Sequence, residues 1–141
     1  MTAWYITVLD AEIAFRDQRI VFLSYDERNH RLALIARPGT LERPANSAGL
    51  DHLAFGYNDI SQLAVTYRRL KAGGIVPSRS TDHGSSISLY YADPDGNQVE
   101  LKVDSLDTAA QMRAFLHSAE FASNPFGSAI DPDTYFPDRL R

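Results

Sequence analysis

His52 and Glu100 are the residues of this 141-residue chain whose types and placement best suit metal chemistry. Leu53, Phe55 and Tyr57 alternate with His52, Ala54 and Gly56, the period of a strand with one apolar and one mixed face. Val99, Leu101 and Val103 likewise take one face of their segment and leave Glu100 on the other. An imidazole and a carboxylate on one concave surface, with coordination positions left open, form the donor set of non-haem Fe(II) sites. The plainer alternative is a hydrogen-bonded, partly buried histidine and a solvated strand carboxylate, and spacing alone favours it. His30 begins a strand and His83 lies beside Gly84, so either could act as general acid or base near neutrality, although lone loop-edge histidines are usually inert. Tyr90 and Tyr91 are adjacent on one strand and must face opposite ways; Tyr91 shares its face with Ile87 and Leu89, and one of the pair belongs to the core. His117, on a C-terminal helix, is assigned no chemistry. Phosphate-loop, HExxH, CxxC and GxSxG patterns do not occur.

These residues need elements to position them. Thr2 to Leu9 carries Trp4, Tyr5, Val8 and Leu9 at helical spacing and reads as the last turns of an amphipathic helix without a capped start. Three short strands are expected at 11–17, 19–25 and 30–36, with Asp26-Glu27-Arg28-Asn29 as a turn, followed by a Pro- and Gly-containing loop over 37–49. A strand over 49–57 then precedes a helix over 60–72. Its stripe of Ile60, Leu63, Ala64, Tyr67 and Leu70 ends at Gly73-Gly74. Strands follow at 75–80, 87–92 and 98–103, the last two joined by Asp93-Pro94-Asp95-Gly96. The second half thus reads βαβββ, and the first half repeats the order without its leading strand and most of its helix. The expected fold is α+β: two βαβββ modules forming a curled mixed sheet over residues 1–104, the first incomplete. Residues 105–141 form a C-terminal helix and a tail rich in Pro, Asp and aromatics, which packs over the domain or a neighbouring subunit.

Composition narrows the function classes. A formal charge of −4 with acidic and basic residues mixed throughout offers no face to a phosphate backbone, which argues against nucleic acid. Zero cysteines exclude disulfides, thiolate metal sites and a Cys nucleophile, so a metal must use His and carboxylate. No apolar run reaches the ~20 residues of a membrane span, and the N-terminus lacks a signal-peptide pattern, so a cytoplasmic location is expected, with a homo-oligomer possible.

The stretches WYITVLDAE (4–12), FLSYDERNHRLALI (22–35), GLDHLAF (49–55) and DHGSSISLYYADPDGNQVELKVD (82–104) closely resemble the vicinal oxygen chelate superfamily, and within it single-domain proteins similar to type I extradiol dioxygenases. DPDGNQVEL is shared by superfamily members of differing chemistry; its combination with NHRLAL and DHG is narrower. The resemblance implies that His52 and Glu100 ligate Fe(II), with Mn, Zn or Ni as alternatives. It implies that His30 is the acid–base histidine and that His83 and Tyr91 stand beside the metal site, the tyrosine steadying a ring-expansion intermediate. The implied substrates are a catechol-like aromatic and O2, and the implied reaction is ring opening beside the diol. A lyase or isomerase using another metal, and a metal-free binding protein, are the other activities this family allows. The family's third ligand, a histidine, sits on the leading strand of the first module, so the resemblance also implies that the natural protein begins upstream of Met1. The chain as it stands should then bind iron weakly and associate through uncovered residues such as Trp4 and Ile20.

Overall fold

The structure is a computed structural model describing residues 1–136 except Glu42 and Ala45; those two positions of the predicted loop, and residues 137–141 of the predicted tail, lie outside the described residues. The chain divides into two compact units: Met1–Asp51 with Asp93–Asn97, and His52–Ala92 with Gln98–Arg141.

The first unit contains α1 (Thr2–Leu9), β1 (Glu12–Arg16), β2 (Ile20–Ser24) and β3 (Leu32–Ile35). Its strands form an antiparallel meander in the order β1-β2-β3, as alternation and the Asp26–Asn29 turn predict. That turn is closed by the Asp26 carboxylate, which accepts from the Arg28 amide at 3.1 Å and from Arg31 Nε at 3.0 Å. Helix α1 buries Tyr5 and Val8. The Tyr5 hydroxyl donates to Asp93 Oδ2 at 2.9 Å, and burial followed by that carboxylate pushes its pKa up. Trp4 and Ile20, expected to lie uncovered, are half-buried; the exposed large apolar residues of the three strands are Ile13, Phe15 and Ile35.

The second unit contains β4 (His52–Tyr57), α2 (Ile60–Ala72), β5 (Arg79–Asp82), β6 (Ser86–Ala92), β7 (Gln98–Asp104), α3 (Ala109–Leu116), α4 (Ala119–Ser123), β8 (Ser128–Ala129) and α5 (Pro132–Tyr135). The sheet order is β4-β7-β6-β5-β8, with β4 parallel to β7 and every other pair antiparallel. Helix α2, capped by Asp59 accepting from the Gln62 amide at 3.0 Å, makes the crossover that a parallel pair requires. It buries Leu63, Ala64, Tyr67 and Leu70 of the predicted stripe. Strands β6 and β7 supply much of the remaining core, with Leu89, Tyr91, Val99 and Leu101 fully buried.

Four expectations shift. The strand predicted at 75–80 starts only at Arg79, because Pro77 brings no amide hydrogen to a ladder. The single C-terminal helix expected within 105–141 breaks at His117, where Ser118 caps a new helix by accepting from the Phe121 amide at 3.1 Å. The tail also contributes a strand, β8, to the edge of the sheet. Finally, Leu53 is exposed although it lies on the predicted apolar face, since β4 is an edge strand covered less than the centre.

Candidate functional site

Register decides which side chains meet on this sheet. In the β4–β7 pair His52 lies opposite Gln98 and Ala54 opposite Glu100, so even-numbered residues of both strands share a face. His52 Nε2 accordingly lies 3.1 Å from Glu100 Oε2. In the β6–β7 pair Tyr90 lies opposite Glu100, and its hydroxyl donates to Oε1 at 3.0 Å. His83, just past β5, places Nε2 3.0 Å from the same hydroxyl. His83, Tyr90, Glu100 and His52 thus form one connected chain of polar groups.

Proton positions follow from counting. The Tyr90 hydroxyl has a single hydrogen and gives it to Glu100, so His83 must donate to the phenol oxygen, which assigns its proton to Nε2. Burial is the leading reason that His83 stays below the usual imidazole value, so its neutral form predominates at neutral pH. The Tyr90 phenol is pushed up to about 12, first by burial and then by the charge of Glu100; Arg79, whose guanidinium carbon lies 3.9 Å from the ring centroid, acts in the opposite direction.

Glu100 is only 6% exposed, and both of its oxygens meet the polar groups just described. A buried carboxylate is tolerable only with such partners. His52 is more open, with its side chain 34% exposed, so the imidazole–carboxylate pair is reachable from solvent. One nitrogen and one oxygen donor at this spacing fit two positions of a divalent metal's coordination shell. Among the described residues no cluster of three or more His, Cys, Asp or Glu side chains completes the set.

Tyr91, which the resemblance puts beside the metal site, lies opposite Val99, is 1% exposed, and its hydroxyl is buried without a hydrogen-bond partner among the described residues. The tyrosine that meets Glu100 is its neighbour, Tyr90. His30 belongs to the first unit, where it is exposed and stacked on Phe22 with ring centroids 4.5 Å apart.

Comparison with known proteins bears on the family and the fold. Residues 1–101 match the Glyoxalase/Bleomycin resistance protein/Dioxygenase superfamily. The chain is 40% identical over 133 residues to biphenyl-2,3-diol 1,2-dioxygenase 2 of Rhodococcus globerulus, covering 94% of this chain and 70% of that protein. It is 31% identical over 102 residues to catechol-2,3-dioxygenase of Bacillus subtilis (strain 168), covering 72% of this chain and 35% of that protein. Among solved structures, a glyoxylase/bleomycin resistance protein/dioxygenase domain from Frankia sp. EAN1pec superposes with a TM-score of 0.57 at 21% identity, covering 79% of this chain and 86% of that one. Lactoylglutathione lyase from Agrobacterium tumefaciens gives 0.54 at 22% identity, covering 72% and 81%. The structural likenesses show the fold; together with the sequence match along most of its length, they establish that this chain belongs to the glyoxalase/bleomycin resistance protein/dioxygenase superfamily.

Proposed function

We propose that the chain is an extradiol ring-cleaving dioxygenase that acts on a catechol-like aromatic, using Fe(II) held by His52 and Glu100 and O2 as co-substrate. The observation carrying the reading is the buried Glu100 carboxylate, which meets an accessible imidazole on one oxygen and a protonated phenol on the other. The names of the relatives, two of them dioxygenases of aromatic diols, support it.

When bound, the metal supplies open coordination positions at which diol and O2 come together. The protein's own groups do the rest. His52 and Glu100 anchor the ion. Tyr90 stays protonated at neutral pH and is available as a hydrogen-bond donor, taking the role that the resemblance implied for Tyr91. His83 orients the Tyr90 hydroxyl through its Nε2 proton and, being neutral, adds no positive charge. His30 is assigned proton transfer in this reading, on the strength of the NHRLAL resemblance. A role in aromatic breakdown in the cytoplasm fits the absence of cysteine.

The test is to load the purified protein with Fe(II), add a panel of catechols under air, and follow the yellow ring-opened semialdehyde while measuring iron in the same samples. Ring-opened product is expected under a large excess of Fe(II), since two protein ligands hold the ion only weakly. Protein that holds iron yet opens no catechol would replace this reading with another metal-assisted reaction of the family.

A further inference from the structure

A cleft of 310 Å³ lies beside the site, and its lining includes Asp82, His83, Gly84, Phe115, Glu120 and Asn124. His83 is common to both places: it lines the cleft, and its Nε2 bonds Tyr90. The other wall comes from the C-terminal segment, fastened to the sheet by the β5–β8 pairing, where Asp82 lies opposite Ser128.

The shape and charge of the cleft are specific. Gly84 has φ +76°, and a Cβ there would come 2.8 Å from Phe115 Cζ, so the ring edge occupies the space a side chain would take. One wall is therefore aromatic. The charged groups on the lining are the carboxylates of Asp82 and Glu120, and neither Lys nor Arg is among the lining residues. His83, held neutral by burial, does not offset them. Asp82 is already engaged, accepting from the Gly84 amide at 2.7 Å, and Asn124 donates to Ser128 Oγ at 3.1 Å. Glu120 is left as the exposed carboxylate on the rim.

We infer that this cleft receives the ring substituent of the diol, that Phe115 packs against it, and that Glu120, with Asp82, makes the protein select against anionic substituents. This rests on the diol-cleaving reading given above. Like charges brought close at the cleft oppose binding, whereas a neutral or cationic group meets no such penalty. Glu120 and Phe115 are thus specificity-determining residues contributed by the tail and not by the βαβββ scaffold.

Three catechols of matched length provide the test: 4-propylcatechol, dopamine and 3,4-dihydroxyphenylacetate. Equilibrium Kd and the separate kcat and KM values are measured for the wild type, Glu120→Gln, Glu120→Lys and Phe115→Ala. The wild type should bind the carboxylate compound about tenfold more weakly than the neutral one. Glu120→Gln should narrow that gap by about threefold or more, and Glu120→Lys should reverse it, with the change appearing in Kd and KM more than in kcat. Phe115→Ala should weaken binding of the substituted catechols relative to catechol itself. A gap that is the same in wild type and both Glu120 variants, or a wild type that prefers the carboxylate compound, overturns this inference and leaves the diol reading intact. If none of the catechols binds or is cleaved, the diol reading itself falls and the inference with it.

Discussion

Tyr90 and Glu100 face each other across the β6–β7 pair, with hydroxyl and carboxylate 3.0 Å apart. A phenol that gives its proton to a buried carboxylate raises its own pKa and satisfies an otherwise costly acceptor. The two residues therefore support each other.

Tyr90→Phe and Tyr91→Phe remove the same atom from adjacent positions and should behave oppositely. Tyr90→Phe leaves one oxygen of Glu100 without its donor and breaks the link to His83, so ring cleavage should fall by about 10²-fold or more, with stability reduced by about 1–3 kcal/mol. Tyr91→Phe removes a hydroxyl that has no hydrogen-bond partner among the described residues. It should leave turnover in place and be neutral or slightly stabilising, by about 1 kcal/mol at most. Thermal melts and the semialdehyde assay on both variants check this; equal losses of turnover would put Tyr91 back in the chemistry.

Glu100→Ala and His30→Ala should separate ligation from proton transfer. Removing Glu100 takes away an anchor, so iron affinity should drop by more than the ~10–100-fold typical of losing an outer-shell partner. Removing His30 should preserve iron and catechol binding while lowering turnover by about 10² to 10⁴. Metal analysis beside single-turnover kinetics distinguishes them. Iron lost from His30→Ala would make that histidine a ligand or a structural support.

Acid stability of the metal-free protein should depend on His83. Its pKa in the fold lies below the unfolded value of about 6.5, so in the window between the two values the unfolded chain binds more protons. Stability from this group is fully present above the unfolded value and is lost as pH falls towards the folded one. Urea midpoints measured from pH 7.5 to 5 should decline less steeply in His83→Gln than in the wild type. Parallel profiles would show that other groups control the decline.

Gly127→Ala should loosen the tail. Gly127 has φ +74°, and an added Cβ would come 2.4 Å from the Asp82 carbonyl oxygen, so strain and collision act together. A loss of about 2 kcal/mol or more is expected, together with faster hydrogen exchange at the Ile130 amide, which donates to the Ser80 carbonyl at 3.1 Å. Unchanged exchange at Ile130 would mean that the strand pairing does not depend on that glycine.

Much of the site could be read from alternation alone. The apolar faces of β6 and β7 and the stripe of α2 were legible because burial of one face leaves a period in the sequence. The choice between Tyr90 and Tyr91 was also legible, through the turn: Ala92 pairs with Gln98, and two steps back along each arm bring Tyr90 opposite Glu100. A resemblance alone does not separate two adjacent tyrosines, whereas the register of the hairpin does. β8 left no trace, since a two-residue strand has no period and its pairing depends on the edge that β5 offers. The break at His117 was hidden because Ser118 serves equally well as an ordinary helix residue and as a cap.

The parallel union of β4 with β7 fixes an order of events during synthesis and folding. His52 is made early, but its strand finds its partner only after α2, β5 and β6, which lie between the two strands in sequence, have been made. Such non-local pairings carry a large loop-closure cost and tend to form late. A nascent chain that stops short of Glu100 offers iron a lone imidazole on an unpaired edge, which is too little to retain it. On the proposed ligand pair, metal capture would therefore follow the pairing of these two strands and would not initiate it.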